Sequence, residues 1–208
     1  MTPCIRAGLA LLFLLLPFQA QTAQQASSKP AGRTKAPDSG VVNNGVYRNA
    51  SFGFSYRIPF GWVDRTEQMN DGSSDPAKGR VLLAAFAQPP EVGSDALNPG
   101  VVIAMESIAT YPGLKTPADY FGPLDELIVA KGFKVVSDAY EVQIGGRNVV
   151  RADYSKSAEK RTTYQSCLAI LVKGYVVSFT FIAGSEDDVE ELVQSLSFAA
   201  VPNGKSRG

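Results

Sequence analysis

The sequence predicts an α+β fold: a mainly antiparallel β-sheet of six to seven strands covered by helices on both faces, an α/β/α sandwich. Three observations lead there. Four apolar-patterned segments follow one another after residue 132 with only short links between them. Short links impose antiparallel neighbours, because parallel pairing needs a long crossover. Two segments, one before and one after those strands, carry apolar residues at helical spacing and must lie on the sheet.

The domain begins near Gly45. Tyr47, Phe52, Phe54, Tyr56 and Ile58 alternate with polar or small residues. That period of two marks a half-buried strand, with Asn49-Ala50-Ser51 as a turn. Pro59 ends the ladder because it has no N–H to donate. Gly61 permits a bend that turns Trp62 inward. The stretch "FGFSYRIPFGW" therefore reads as core architecture, with Phe52, Phe54, Pro59 and Trp62 as structural anchors. On that reading Trp62→Ala costs about 3–5 kcal/mol.

"RVLLAAFAQ" (80–88) and "GVVIAMESIA" (100–109) read as central strands. The loop between them is long for a hairpin. Pro89, Pro90 and Pro99 restrict it, and Val92 and Leu97 are apolar without a core period. This makes 88–100 a candidate partner-contact loop. Thr116 and Pro117 announce a helix as N-cap and first residue, with Asp119 in its first turn. Tyr120, Phe121, Leu124, Leu127 and Ile128 form its stripe, Gly122 and Pro123 weaken it, and Gly132 closes it. Strands follow at 133–143, 147–155, 162–172 and 175–183, with Gly145-Gly146 and Lys173-Gly174 as turns. Tyr175, Val177, Phe179 and Phe181 make one face of the last strand, and Val176 and Ile182 belong to the other. The closing segment "SEDDVEELVQSLSF" reads as a helix capped by Ser185, with Val189, Leu192, Val193 and Leu196 buried. Glu186, Asp187 and Asp188 complement its dipole rather than bind a cation.

Residues 1–23 read as a secretory signal peptide: Arg6, the apolar run "AGLALLFLLLP", then a polar small-residue stretch. The run is too short to cross a bilayer, which needs about 20 residues, so no stable membrane insertion is expected after cleavage. Residues 24–44 are rich in Ser, Pro, Gly and Gln and read as a disordered leader. Residues 45–199 make one domain and 200–208 a flexible tail. The chain is expected to be exported, to the periplasm or beyond the cell.

The inventory excludes much chemistry. Histidine is absent, so no Ser-His-Asp triad, Cys-His dyad or His-Glu-x-x-His zinc motif exists. With Cys4 in the signal peptide, Cys167 is the one cysteine of the mature chain, too few for an ordinary zinc or iron–sulfur site. It reads as a small buried hydrophobe. Lys+Arg and Asp+Glu balance at 20 each, with no basic excess to attract nucleic acid. "NDGSSD" (70–75) lacks calcium-loop spacing, and Lys156, Lys160 and Arg161 read as a solvated turn. No cofactor, metal or catalytic residue is assigned.

The strand "FGFSYRIPFGW", the long antiparallel sheet and the acidic-capped closing helix together resemble the PsbP-like, Mog-type fold family over residues 45–199. The resemblance implies an antiparallel sheet with helices on both faces. It also implies a protein that works by binding and stabilising partners, not by catalysis. Metal contacts in plant members include histidine, so no functional residue carries over.

The reading is an exported, non-catalytic binding or assembly module acting on an envelope or periplasmic protein. A second reading is a small apolar-ligand binder, with Trp62 and neighbouring aromatics lining a sheet–helix pocket. A carboxylate-dependent hydrolase is the third. A flat exposed patch favours the first, an apolar pocket the second, and a polar cleft with two facing carboxylates the third.

Overall fold

Two tight turns determine how half of the main sheet is strung. Gly145 and Gly146 (φ +57° and +80°) and Lys173 and Gly174 (φ +52° and +81°) are left-handed at both turn positions, the geometry that joins adjacent antiparallel strands in register. The computed structural model describes residues 37–72, 75–89, 97–158 and 161–199. The expected signal peptide, most of the leader, the tail 200–208, Pro90 and Val92 lie outside them.

The chain runs β1 (Val41–Asn43), β2 (Val46–Asn49), β3 (Phe54–Arg57), β4 (Val63–Asp64), α1 (Thr66–Asn70), β5 (Gly79–Phe86) and β6 (Gly100–Ser107). Then come 3-10 turns at Ile108–Thr110 and Pro117–Tyr120, and α2 (Phe121–Ala130). It closes with β7 (Lys134–Ile144), β8 (Arg147–Ala158), β9 (Arg161–Val172), β10 (Tyr175–Ala183), α3 (Glu186–Gln194) and β11 (Leu196–Phe198). The fold is α+β, with two antiparallel sheets: four strands ordered β1-β2-β3-β11, and seven ordered β4-β5-β6-β10-β9-β8-β7.

That corrects the expectation of a single sheet with helices on both faces. The aromatic strand β3 pairs with β2 and β11 and not with the long sheet. The resulting small sheet, with α3 beside it, covers one face of the large one. Phe52, Phe54, Tyr56, Leu196 and Phe198 share one core with Val189, Leu192, Val193, Phe179 and Phe181. The sequence predicts a C-terminal helix running through Phe198. Instead Val189, Leu192 and Val193 keep helical spacing, while Leu196 and Phe198 alternate as a strand and pair with Tyr56 and Phe54. The period changes from 3.6 to 2 at Ser195, where the helix ends.

The segment expected as leader also contributes structure. Strand β1 pairs with β2, and the Tyr47 hydroxyl donates to the Ser39 carbonyl at 2.5 Å. Gly122 and Pro123 do not break the first expected helix. Thr116 and Asp119 form a capping box ahead of it, and Pro123 falls in the first turn of α2, where a missing N–H is tolerated. Around Arg151, hydrogen bonds to Asp153 (2.9 Å), Glu190 (2.8 Å) and Ser166 (3.1 Å) tie α3 to strands β8 and β9.

The two faces of the large sheet differ in side-chain size. On β10, Val177, Phe179 and Phe181 point to the small sheet, opposite Met105 and Ile103 of β6 and Ile170 and Leu168 of β9. The alternate residues Ser178 and Thr180 point to the other face. They stand opposite Ala104 and Val102 of β6 and Ala169 and Cys167 of β9.

Candidate functional site

The small-residue face is roofed from its two sides. Over β5, α1 sets Met69 against Val81, Ala84, Phe86 and Val102. Over β8 and β9, α2 sets Phe121, Leu124 and Ile128 against Val150, Ala152, Tyr154 and Cys167. Two tethers hold α2 in place: the Tyr154 hydroxyl donates to Asp125, and Lys156 Nζ donates to the Lys131 carbonyl at 2.7 Å. Between the two helices, over β6 and β10, the floor is Val102, Ala104, Ser178 and Thr180, with Cys167 beside them. Side chains this small do not reach the roof, and a cavity of about 690 Å³ remains. That lies within the range of small-molecule sites, roughly 300–1,000 Å³. Its roof is Leu124, Leu127 and Ile128 of α2 with Leu114 and Phe133.

One end of the cavity is polar. Glu106 on β6 accepts hydrogen bonds from the Tyr120 hydroxyl at 2.7 Å and from the Tyr111 hydroxyl. The two rings meet edge to face at 6.0 Å, and Tyr120 meets Phe121 in the same way at 6.2 Å. Burial first, and then the Glu106 charge, push the Tyr120 phenol well above its ordinary pKa. Burial and the hydrogen bond to Glu106 do the same for Tyr111. Both phenols stay protonated donors through the physiological range. On the floor, Gln165 Nε2 donates to Cys167 Sγ at 3.2 Å. Burial pushes the Cys167 thiol up to about 11. A thiol at that value is neutral and a poor nucleophile, so it serves as apolar floor.

A second carboxylate, Asp119, lies on the cavity rim. Its Oδ2 accepts from the backbone N–H groups of Lys115 (2.9 Å) and Thr116 (2.7 Å), which lower its pKa. A general acid at neutral pH needs a raised pKa, and Asp119 is shifted the other way. Among the described residues no group of three or more His, Cys, Asp or Glu side chains could hold a metal ion, and no helix is long and apolar enough to cross a membrane.

The residues singled out from the sequence lie elsewhere. Phe52 and Phe54 are buried in the core between the sheets, and Phe54 meets Phe179 edge-on at 5.1 Å. Pro59 is half-buried, and Phe60 beside it is fully exposed. Trp62 is half-buried at the rim of that same core, just ahead of β4. The expectation that Trp62 lines a sheet–helix pocket is therefore corrected: the cavity is on the opposite face and Trp62 is not among its walls. Of the 88–100 loop, Pro89 is exposed and Leu97 and Pro99 are half-buried. Asn98 clamps the loop base through both backbone groups of Gln88, at 2.9 and 3.0 Å.

Sequence reasoning named Tyr120, Leu124, Leu127 and Ile128 as a helix stripe and missed the cavity beneath it. The available signal was Ser178 and Thr180, two hydroxyl residues alternating with Phe179 and Phe181 in a strand covered on both faces.

No family model matches the chain, and no curated protein matches it. Among solved structures it is similar to the cyanobacterial PsbP, CyanoP, of Synechocystis sp. PCC 6803, at 13% identity over 81% of this chain and 98% of that one, TM-score 0.48. It is similar to the Ran-binding protein Mog1p of Saccharomyces cerevisiae at 10% identity over 76% of this chain and 96% of that one, TM-score 0.43. It is also similar to LpqN of Mycobacterium tuberculosis, described as involved in cell envelope biogenesis, at 13% identity over 71% and 83%, TM-score 0.36. No residue role or partner is carried over from these proteins.

Proposed function

We propose that this protein is an exported, non-catalytic binding module that holds a small apolar ligand between α2 and the small-residue face of its large sheet. The observation that carries the reading is the cavity itself, about 690 Å³ with a mostly apolar wall and a few convergent polar groups. A core position would fill such space with larger side chains, as the opposite face does with Phe179 and Phe181. The hydrolase reading loses its support because Glu106 and Asp119 are both engaged, by phenols and by backbone N–H groups. Export rests on the apolar run at residues 7–17.

The test is titration of the purified protein with a neutral fluorescent apolar probe such as N-phenyl-naphthylamine. Saturable binding of one probe per chain is expected, and Thr180→Leu, which narrows the cavity at its floor, is expected to weaken it. Absent or non-saturable binding, or binding unchanged in Thr180→Leu, would contradict the reading.

A protein partner from the envelope remains as a second reading, with Pro89, Pro90, Val92, Leu97 and Pro99 as its contact loop. The Asn98 clamp favours it, because fixing the loop base lowers the ordering cost of docking. Shortening 88–100 to a tight turn tests it: capture of the same envelope proteins with unchanged affinity would refute a contact role.

A further inference from the structure

Among the described residues, the carboxylate at the polar end of the cavity has no ion-pair partner. Glu106 is half-buried, and its hydrogen bonds come from two neutral phenols. Ion pairs join Lys78 to Asp75 and Arg151 to Asp153 and Glu190, and none of these involves Glu106. Neutral donors orient a carboxylate but do not cancel its charge, and an uncompensated charge beside apolar walls is costly. Two cationic side chains border the cavity. Arg80 is opposite Met105 in the sheet register, so it belongs to the packed face, and its guanidinium donates to the Pro37 carbonyl. Lys131 is exposed, just past the end of α2.

Beside Glu106 stand Tyr111 and Tyr120, whose rings meet nearly at right angles, 82°. Edge-to-face contacts present ring faces in different directions, and ring faces attract cations through their quadrupole. A carboxylate with perpendicular tyrosines at the end of an apolar chamber matches one ligand chemistry: a cation carried on a hydrocarbon body.

We propose that the ligand of this cavity is a cationic amphiphile, an alkyl chain or ring system bearing an ammonium group, with the ammonium against Glu106, Tyr111 and Tyr120 and the apolar part under Leu124, Leu127 and Ile128. The assignment rests on the apolar-cavity reading and adds the headgroup to it. Tyr120 then has two tasks: it holds Glu106 in place and it walls the headgroup site. Removing the Glu106 charge while keeping its shape and acceptor oxygen isolates the electrostatic part.

The experiment compares three amphiphiles of one chain length as competitors of the neutral apolar probe: decyl-trimethylammonium and decanoate below their micelle concentrations, and decanol below its solubility limit. The ammonium is expected to compete about tenfold more strongly than the alcohol, and decanoate more weakly than either. In Glu106→Gln the preference for the ammonium over decanol is expected to vanish, and the urea unfolding midpoint of the variant shows that it is folded. Equal competition by ammonium and alcohol, strongest competition by decanoate, or an ammonium preference that survives Glu106→Gln would overturn the headgroup assignment and leave the apolar cavity standing. If the probe itself does not bind, the cavity reading falls and the headgroup assignment falls with it.

Discussion

The two faces of the large sheet are built from the same strands and reach different ends. Along β10, Phe179 and Phe181 enter one face while Ser178 and Thr180 enter the other. The first face meets a second sheet, and aromatic rings close the gap: Phe54 to Phe179 at 5.1 Å, Tyr56 to Phe181 at 5.8 Å, Phe198 to Phe179 at 6.0 Å. The second face meets two helices that stand over its sides, and its central side chains are too small to reach across. One face is filled to stabilise the fold and the other is left open. The difference lies in side-chain volume, since both faces are flanked by well-anchored elements.

The largest effect should come from emptying the filled face. Phe179→Ala is expected to lower stability by about 3–5 kcal/mol, the cost of removing a buried aromatic from a close-packed core. Equilibrium urea unfolding measures it, and a loss under about 1 kcal/mol would mean that this face is not the close-packed one.

Alkali probes the same face without mutation. The Tyr47 hydroxyl donates to Ser39, accepts from Asn49 Nδ2 at 3.0 Å, and is pushed by burial from 10.0 up to about 12. Above pH 10 the unfolded chain gives up this proton before the folded chain does, so stability falls with rising pH. The contribution is intact below pH 10 and is lost between about 10 and 12, where it amounts to roughly 2 kcal/mol. Unfolding midpoints at pH 8, 10 and 11 should fall throughout, because the buried Cys167 thiol loses its contribution from about pH 9 upward, and Tyr47→Phe should lessen the part of the fall above pH 10.

Trp62 marks the edge of the filled face. Because it is half-buried, Trp62→Ala is expected to cost about 1–2 kcal/mol, less than Phe179→Ala and less than a fully buried anchor would. A cost equal to that of Phe179→Ala would move the boundary of the core outward to β4.

The smallest effect on stability should come from the open face. Thr180→Leu adds apolar volume to a cavity and is expected to change stability by no more than about 1 kcal/mol in either direction. A loss above about 2 kcal/mol would show that the floor is already tightly packed.

How legible these faces were in the sequence depended on distance along the chain. The strands from β7 to β10 follow from alternation and two-residue turns, both local signals. Ser185 as N-cap and Gly132 as helix stop are local too, and the structure shows both: Asp188 N–H donates to Ser185 Oγ at 3.1 Å, and Gly132 has φ +85°. The pairing of β3 with β11 was not legible, because it joins Phe54 to Phe198 across the length of the domain. No turn or spacing encodes so distant a pair. The cavity was hidden for a related reason. Ser178, Thr180, Ala104 and Cys167 are unremarkable one by one, and they become a floor only when the register of three strands sets them side by side.

On the proposed binding mode, ligand enters the open face and leaves the filled face unchanged. Methyl NMR of the protein titrated with the neutral apolar probe measures this directly. The methyl signals of Ala104, Thr180, Leu124, Leu127 and Ile128 should shift together and saturate at one equivalent, while those of Ile103, Leu168 and Val177 stay within their unbound positions. Shifts centred instead on the exposed Val129, Val135 and Val136, or no saturable shift at all, would contradict it.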